Sequence, residues 1–280
     1  MTNEIVNADI ALIGGSSTLS IQFPQELKHP DVEVEATGVV YSTPYGDSPP
    51  FTIFTVNNGK SVKRVLTCRM HGWRQGVSRR DASRQIFFVF RAAGVKRVLA
   101  EGGVGSISRL LKPRDIIIPD DYIDGSLRSD VGLDDNYLLV MRDPMCREMT
   151  DILTSHSEQV GKKRVFDRGV YVVTDGRHFE SAAEVSSYRM AGGDVIGQSL
   201  TPEVYLAREI GACFAGIYQV VNYAEGVIKP WEHEELSDIF YNESLSMGQI
   251  LINTIQALPT DKSCTCAQMR KETLLKDIYK

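Results

Sequence analysis

The chain contains no apolar run approaching the ~20 residues that cross a bilayer, so no membrane span is expected. Its first residues, MTNEIVNADIALIGG, carry acidic side chains and no basic leader region, which argues against a signal peptide and for a cytoplasmic protein. Positive charge is scarce: 31 Lys and Arg face 36 Asp and Glu, a formal net charge of −5. That balance gives no footprint for nucleic acid or for an anionic membrane, so small-molecule partners are expected instead. The short clusters Arg79-Arg80 and Lys162-Lys163-Arg164 read as solvated surface. Internal repeats, low-complexity stretches and long linkers are absent. So are HExxH, a nucleophile triad and paired-cysteine metal motifs, and no metal is expected in the chemistry. Of the five cysteines, Cys68, Cys146 and Cys213 stand apart in sequence and read as buried thiols. Cys264-Thr265-Cys266 is a CxC in a polar tail that could oxidise, bind metal or do nothing. It lacks the second ligand pair of a zinc site, so metal is not expected there.

What is present is ordinary globular material: 280 residues, 42% hydrophobic and 24% charged, enough for one large core. Short β-branched runs read as strands at Ile10–Ile13, Val39–Tyr41, Phe51–Val56, Val62–Cys68, Val98–Ala100, Asp115–Pro119, Val170–Thr174, Val195–Ile196 and Phe214–Val221. Longer amphipathic runs read as helices at Arg80–Ala93, Pro144–Val160, Ser181–Ala191, Pro202–Ile210 and Trp231–Leu258. The first helix is expected to start at an Asp81 cap and to end at Gly94. Elements mixed in this order give an α/β fold around one central sheet. Asp120–Asp143, charged and weakly patterned, is expected as a surface excursion, a common place for ligand contacts. The main domain is placed at residues 1–258 and a peripheral tail with the CxC at 259–280.

The segment from Asp175 to Glu209 concentrates polar side chains where plain connections would do. Phe179 and Glu180 form an aromatic–carboxylate pair at the mouth of a predicted helix. Gly197, Gln198 and Ser199 follow an apolar strand and precede Pro202, where a helix would begin. A small polar turn between strand and helix leaves backbone N–H groups suited to an anion or a sugar hydroxyl. Phe179 could stack on a planar base and Glu180 could accept from ring N–H groups, which together suggest a nucleoside pocket.

The FExxxE run from Phe179 and the GxSxxPE run from Gly197 carry a resemblance. With them, in order, come Ile13-Gly14-Gly15-Ser16, Thr43-Pro44-Tyr45-Gly46, Arg69-Met70-His71-Gly72, Gly103-Val104-Gly105-Ser106 and Val220-Val221-Asn222. This series resembles the purine nucleoside phosphorylases, including the methylthioadenosine and methylthioinosine enzymes, over residues 9 to 258. The resemblance implies a single α/β domain with a mixed, barrel-like sheet flanked by helices. It also implies a homotrimer or a dimer of trimers. The implied reaction is phosphate-dependent cleavage of a purine nucleoside to free purine and pentose 1-phosphate, with inorganic phosphate as co-substrate and no cofactor. Ser16, Arg69, His71 and Ser199 fall on the family's phosphate positions, and Arg69 could grip an anion bidentately. Asn222 and Glu180 fall on the base positions and match the enzymes that take 6-oxopurines.

The departures are also informative. Gln198 stands where the family usually has Met under the ribose, and can hydrogen-bond sugar hydroxyls. Gly102 replaces the family's Thr or Ala backbone contact, and Glu101 brings a carboxylate toward the supposed phosphate, unfavourable unless it pairs with Arg69 or Arg74. His178, beside Phe179, and His233, in an acidic helix start, are further candidates for the sugar or its 5′ substituent. Two rivals remain: a hydrolase on the same fold in which Glu101 orients water, and a nucleoside-binding homologue without catalysis.

Overall fold

Alternating side chains on short strands decide how this chain layers. The computed structural model describes residues 4–128, 130–134, 136–160, 163–259 and 261–274, so Lys162 of the basic cluster, Thr260 and residues 275–280 of the tail lie outside the described residues. Fifteen strands are present among them: β1 (Ile10–Ile13), β2 (Val32–Val39), β3 (Ser42–Thr43), β4 (Gly46–Asp47), β5 (Phe51–Asn57), β6 (Val62–Cys68), β7 (Arg97–Ser106), β8 (Ile116–Ile117), β9 (Asp121–Asp124), β10 (Tyr137–Leu139), β11 (Val165–Phe166), β12 (Val170–Val173), β13 (Val195–Gly197), β14 (Cys213–Tyr223) and β15 (Arg270–Glu272). The α-helices are α1 (Arg79–Ala92), α2 (Arg147–Gln159), α3 (Ala182–Met190), α4 (Leu200–Glu209), α5 (His233–Asn242) and α6 (Ser244–Ala257). Eleven strands form one mixed sheet in the order β11-β8-β14-β7-β1-β6-β5-β2, from which β13, β12 and β9 branch at β7. Helices flank this sheet, as the sequence reading expects of an α/β domain.

Period-2 alternation splits the core between the two sheet faces. Ala11 and Ile13 of β1 pack with Val98 and Ala100 of β7 against Phe87 and Phe90 of α1 and Leu206 of α4. Ile10, Leu12 and Leu99 point the other way, into Met149 and Leu153 of α2 and Leu251 and Ile255 of α6. Both faces are covered, so the central strands carry apolar residues on both sides instead of an apolar–polar alternation. Parallel pairing of β7 with both β1 and β14 brings the C-terminal ends of these strands to one edge of the core.

Several expectations are corrected by local physics. Ser78, not Asp81, caps α1: its hydroxyl accepts from the Asp81 N–H and donates to the Asp81 carboxylate. Gly94, with φ 74°, does end that helix as expected. The strand placed at Val39–Tyr41 lies earlier, at β2, whose residues alternate between exposed and half-buried on the sheet's edge. Trp231–Leu258 is two helices that break at Glu243, whose carboxylate is held by Arg114 and Lys163. The excursion Asp120–Asp143 contains β9 and β10, because β12 and the tail strand β15 supply their partners.

The largest correction concerns the cysteines. Cys146 and Cys213 are far apart in sequence, yet the Cys146 N–H donates to the Phe214 carbonyl at 2.8 Å and so sits beside the start of β14. The tail packs back onto the domain, and Cys264 and Cys266 join them: all four sulfur atoms lie within 4.8 Å of one another. The CxC does have a second pair, supplied by the fold and invisible to local spacing.

Candidate active site

A cavity of about 240 Å³ opens where β7, β13 and β14 end, bounded also by the loops that follow β1 and β6. Open α/β sheets place ligands at this edge, because strand ends leave backbone groups and loop side chains free to converge. Gly102 to Gly105, Ile196 to Ser199, Val221 and Asn222 form its floor, and Phe179, Trp231, Leu236 and Phe240 form an apolar rim. Its polar lining comprises an amide and a carboxylate, from Asn222 and Glu180, and hydroxyls and an imidazole, from Ser16, Ser199 and His71.

Asn222 owes its position to a bulge. Val220 pairs with Val104 and Asn222 with Gly105, so Val221 is an extra residue in β14 and re-aims the side chain after it. One amide N–H of Asn222 donates to the Tyr223 carbonyl at 2.8 Å, which leaves the second N–H and Oδ1 for a ligand. Glu180 is buried, and its Oε1 accepts from the Thr174 hydroxyl. It directly precedes Ser181, which caps α3 in a reciprocal capping box with Glu184. Phe179 is 48% exposed, with its ring edge-on to Trp231 at 5.0 Å.

The Ser16 hydroxyl accepts from the Gly103 N–H at 2.8 Å, so its own proton is free to donate. Ser199 is buried beside the Tyr171 hydroxyl at 3.3 Å, and burial pushes that phenol up to about 12. His71 is held by two constraints. Met70 and His71 both adopt left-handed backbone, φ 47° and 53°, a strained pair costing on the order of 1–3 kcal/mol each. The buried Glu203 carboxylate lies 2.7 Å from His71 Nδ1. Against an ionised Glu203, which can only accept, Nδ1 would carry the imidazole proton and leave Nε2 for the cavity. Glu203 is the residue that sequence reasoning missed. It is the Glu of the quoted PE pair, and only the fold reveals its partner.

The structure brings Ser16, His71, Gly102, Phe179, Glu180, Gln198, Ser199 and Asn222 together around one cavity. It does not bring Glu101, Arg69, His178 or His233 to it. Glu101 is fully buried and turned into the Gly14–Thr18 loop. It accepts from Gly15 N–H at 2.5 Å, Ser17 N–H at 2.9 Å, Thr18 N–H at 3.3 Å and the Thr18 hydroxyl at 2.6 Å. The loop's backbone donors, read as an anion site, are thus answered by the protein's own carboxylate. Gly15 permits the approach: a Cβ there would lie 2.1 Å from the Glu101 carbonyl oxygen. The expected pairing of Glu101 with Arg69 or Arg74 is absent. Arg69 is exposed and donates to the Leu19 carbonyl at 2.5 Å, and Arg74 donates to Gly72, Asp47 and Gln85. His178 and His233 are exposed at the surface.

Arg79, expected on the solvated surface, is half-buried and braces two residues of the cavity wall, Trp73 and Gln198. Its guanidinium lies 3.8 Å over the Trp73 ring and donates to Gln198 Oε1 at 2.9 Å and to the Asp175 carbonyl at 2.7 Å. Burial first, then the nearby Arg128 and Arg177, push its pKa down to about 10. Gln198 also donates to the His178 carbonyl at 3.3 Å, so part of the amide expected to meet a sugar is committed to the protein. Gly176 makes room for it: a Cβ there would fall 1.8 Å from Gln198 Oε1.

Comparison with known proteins adds independent information. Residues 9–256 match the family model of the phosphorylase superfamily. The chain is 30% identical to a probable 6-oxopurine nucleoside phosphorylase of Dictyoglomus turgidum, over 94% of this chain and 97% of that one. It is 31% identical to an S-methyl-5′-thioadenosine phosphorylase of Hyperthermus butylicus, over 96% and 97%. Among solved structures, a methylthioadenosine phosphorylase from an antarctic soil metagenomic library superimposes with a TM-score of 0.75 at 24% identity. That similarity covers 89% of this chain and 85% of the other.

Proposed function

The chain belongs to the phosphorylase superfamily, in its branch of purine nucleoside and methylthioadenosine phosphorylases, and we propose that it cleaves 6-oxopurine nucleosides with phosphate as the acceptor. The reaction breaks the bond between the sugar C1′ and the purine nitrogen and forms a C1′–O bond to phosphate. The products are the free purine and a pentose 1-phosphate.

One observation carries the reading. A single cavity is lined both by Glu180 and Asn222 and by Ser16, His71 and Ser199, the two sets of groups that a base and an anion would need. The free amide N–H of Asn222 would donate to the purine N7 or O6 as the leaving base gains negative charge, the stage at which a positioned donor helps most. The second Glu180 oxygen would accept from the N1–H that 6-oxopurines carry and adenine lacks. Phe179 and Trp231 would cover base and sugar, and Gln198 would use its remaining N–H on the ribose. Ser16 and Ser199 would donate to phosphate below C1′ and the His71 Nε2 would accept from the phosphate hydroxyl, where the anion stabilises the oxocarbenium-like sugar.

The test follows inosine, guanosine, adenosine and their 5′-methylthio forms by chromatography, with and without phosphate. Cleavage that needs phosphate and favours 6-oxopurines is expected. Asn222→Ala should lower kcat by roughly 10²–10³-fold, the usual loss on removing one donor from a developing anion. Product formation at full rate without phosphate, or near-normal turnover by the Asn222 variant, would overturn the assignment.

A further inference from the structure

We propose that Cys146, Cys213, Cys264 and Cys266 form a structural zinc site that fastens the C-terminal segment to the sheet. All four sulfurs lie within 4.8 Å of one another, and those of Cys213 and Cys264 are 3.2 Å apart. Tetrahedral zinc with Zn–S bonds of ~2.3 Å sets sulfurs about 3.8 Å apart, so this cluster has the dimensions of that polyhedron. A disulfide would require ~2.0 Å, and all four residues are free thiols. Soft sulfur donors in a closed set of four select a thiophilic ion that prefers tetrahedral geometry and leave no position open for substrate.

The surroundings fit a thiolate centre. Cys146 is the N-cap of α2, where the positive end of the helix dipole favours negative sulfur. Arg97, paired in register with Cys213, donates to the carbonyls of Pro259 and Asp261, and Lys262 donates to the Gly211 carbonyl. Arg97 is also paired with the Glu148 carboxylate at 3.1 Å, and together these bonds fix the chain leading to the CxC. Binding one Zn²⁺ would release the four thiol protons to solvent and leave a centre of net charge −2.

The site is separate from the cavity. Cys213 begins β14 and Asn222 lies nine residues further along it, about 30 Å at ~3.3 Å per residue. Its role is therefore mechanical. The CxC precedes β15, which pairs with β10, so the metal anchors the segment that completes this small sheet.

The experiment is native mass spectrometry with elemental analysis of the full chain, purified under reducing conditions without chelator. About one zinc per chain is expected. Cys264→Ser should lose it, Cys264→His should retain it because imidazole is also a zinc ligand, and Cys68→Ser, which changes a cysteine outside the cluster, should keep it. If Cys264→Ser fails to fold, displacement of zinc from the wild-type chain by a mercurial, read with a metallochromic dye, gives the same answer. A chain whose mass lacks four hydrogens, showing two disulfides, would overturn the proposal. So would a fully reduced chain that takes up no added Zn²⁺.

Discussion

Replacing Glu101 by Gln tests the finding that a carboxylate, not a ligand, answers the glycine-rich loop. The amide keeps the shape but has one acceptor oxygen. Its best placement keeps the donors of Gly15 and Thr18 on that oxygen and turns the NH₂ against the Ser17 N–H, now 2.9 Å from Oε2. One charge-assisted bond is lost and a buried donor is left unpaired, at about 1.5–3 kcal/mol, with a smaller loss across the three weakened bonds. The total is about 3 kcal/mol. For a chain of this length, each kcal/mol lowers the melting temperature by roughly 2–4 °C, so a fall of about 6–12 °C is expected by differential scanning fluorimetry. Ser16 sits within the same loop and accepts from Gly103, so the phosphate KM should rise with the loss of order. A melting temperature within ~2 °C of wild type would refute the reasoning, since a change of 1 kcal/mol or less cannot come from this network. Unchanged stability with abolished turnover would instead mark Glu101 as a group that acts on water.

Three further outcomes follow from the same geometry. Glu203→Gln should lower kcat/KM by roughly 10–100-fold with phosphate as the varied substrate, because His71 loses the carboxylate that fixes its proton on Nδ1; an unchanged phosphate dependence would sink that role. Arg79→Met should raise the nucleoside KM by about 5–30-fold with kcat little altered, since removing one hydrogen bond to Gln198 costs on the order of 1–2 kcal/mol; a wild-type KM would show that the wall does not reach the substrate. Burial alone would raise the Glu243 pKa, but Lys163 and Arg114 hold it below its ordinary 4.5. Its contribution to stability is therefore present above pH 4.5 and lost as pH falls through the lower folded value, and Glu243→Gln should flatten the acid limb of a melting-temperature profile.

Much of this was legible in the sequence because it depends on local pattern. The apolar runs at Ile10–Ile13, Phe51–Val56 and Val62–Cys68 are strands, and the polar turn Gly197-Gln198-Ser199 does link a strand to a helix at the cavity. Asn222, quoted for the resemblance, and Glu180, at the mouth of a helix, both line that cavity. Pairing across the fold is what local pattern does not encode. Glu101 looks like a charge near a ligand until β7 sets it against the Gly14–Thr18 loop 83 or more residues away. The four clustered cysteines look like two isolated thiols and a lone CxC until α2, β14 and the tail converge. β2 was missed for the opposite reason, since an exposed edge strand needs no continuous apolar run.

Gln198 shows why a departure from family pattern is best read with its neighbours. Taken alone, an amide in place of a Met under the sugar suggests a changed substrate. In the fold, its oxygen accepts from Arg79, Arg79 lies on Trp73, and the Trp73 ring packs 5.0 Å from His71. Gly176 supplies the space that the amide occupies, since any Cβ would overlap it. Arg128 donates to the carbonyls of both Thr174 and Gln198, which ties the two strand ends that carry the wall. A Met at position 198 would leave the Arg79 guanidinium half-buried without its side-chain acceptor, and an Arg79 change would strand the Gln198 oxygen. The residues at 79, 176 and 198 therefore form one polar unit, and the substitution at 198 is first a change in how the cavity wall is held, with any change in sugar preference following from that.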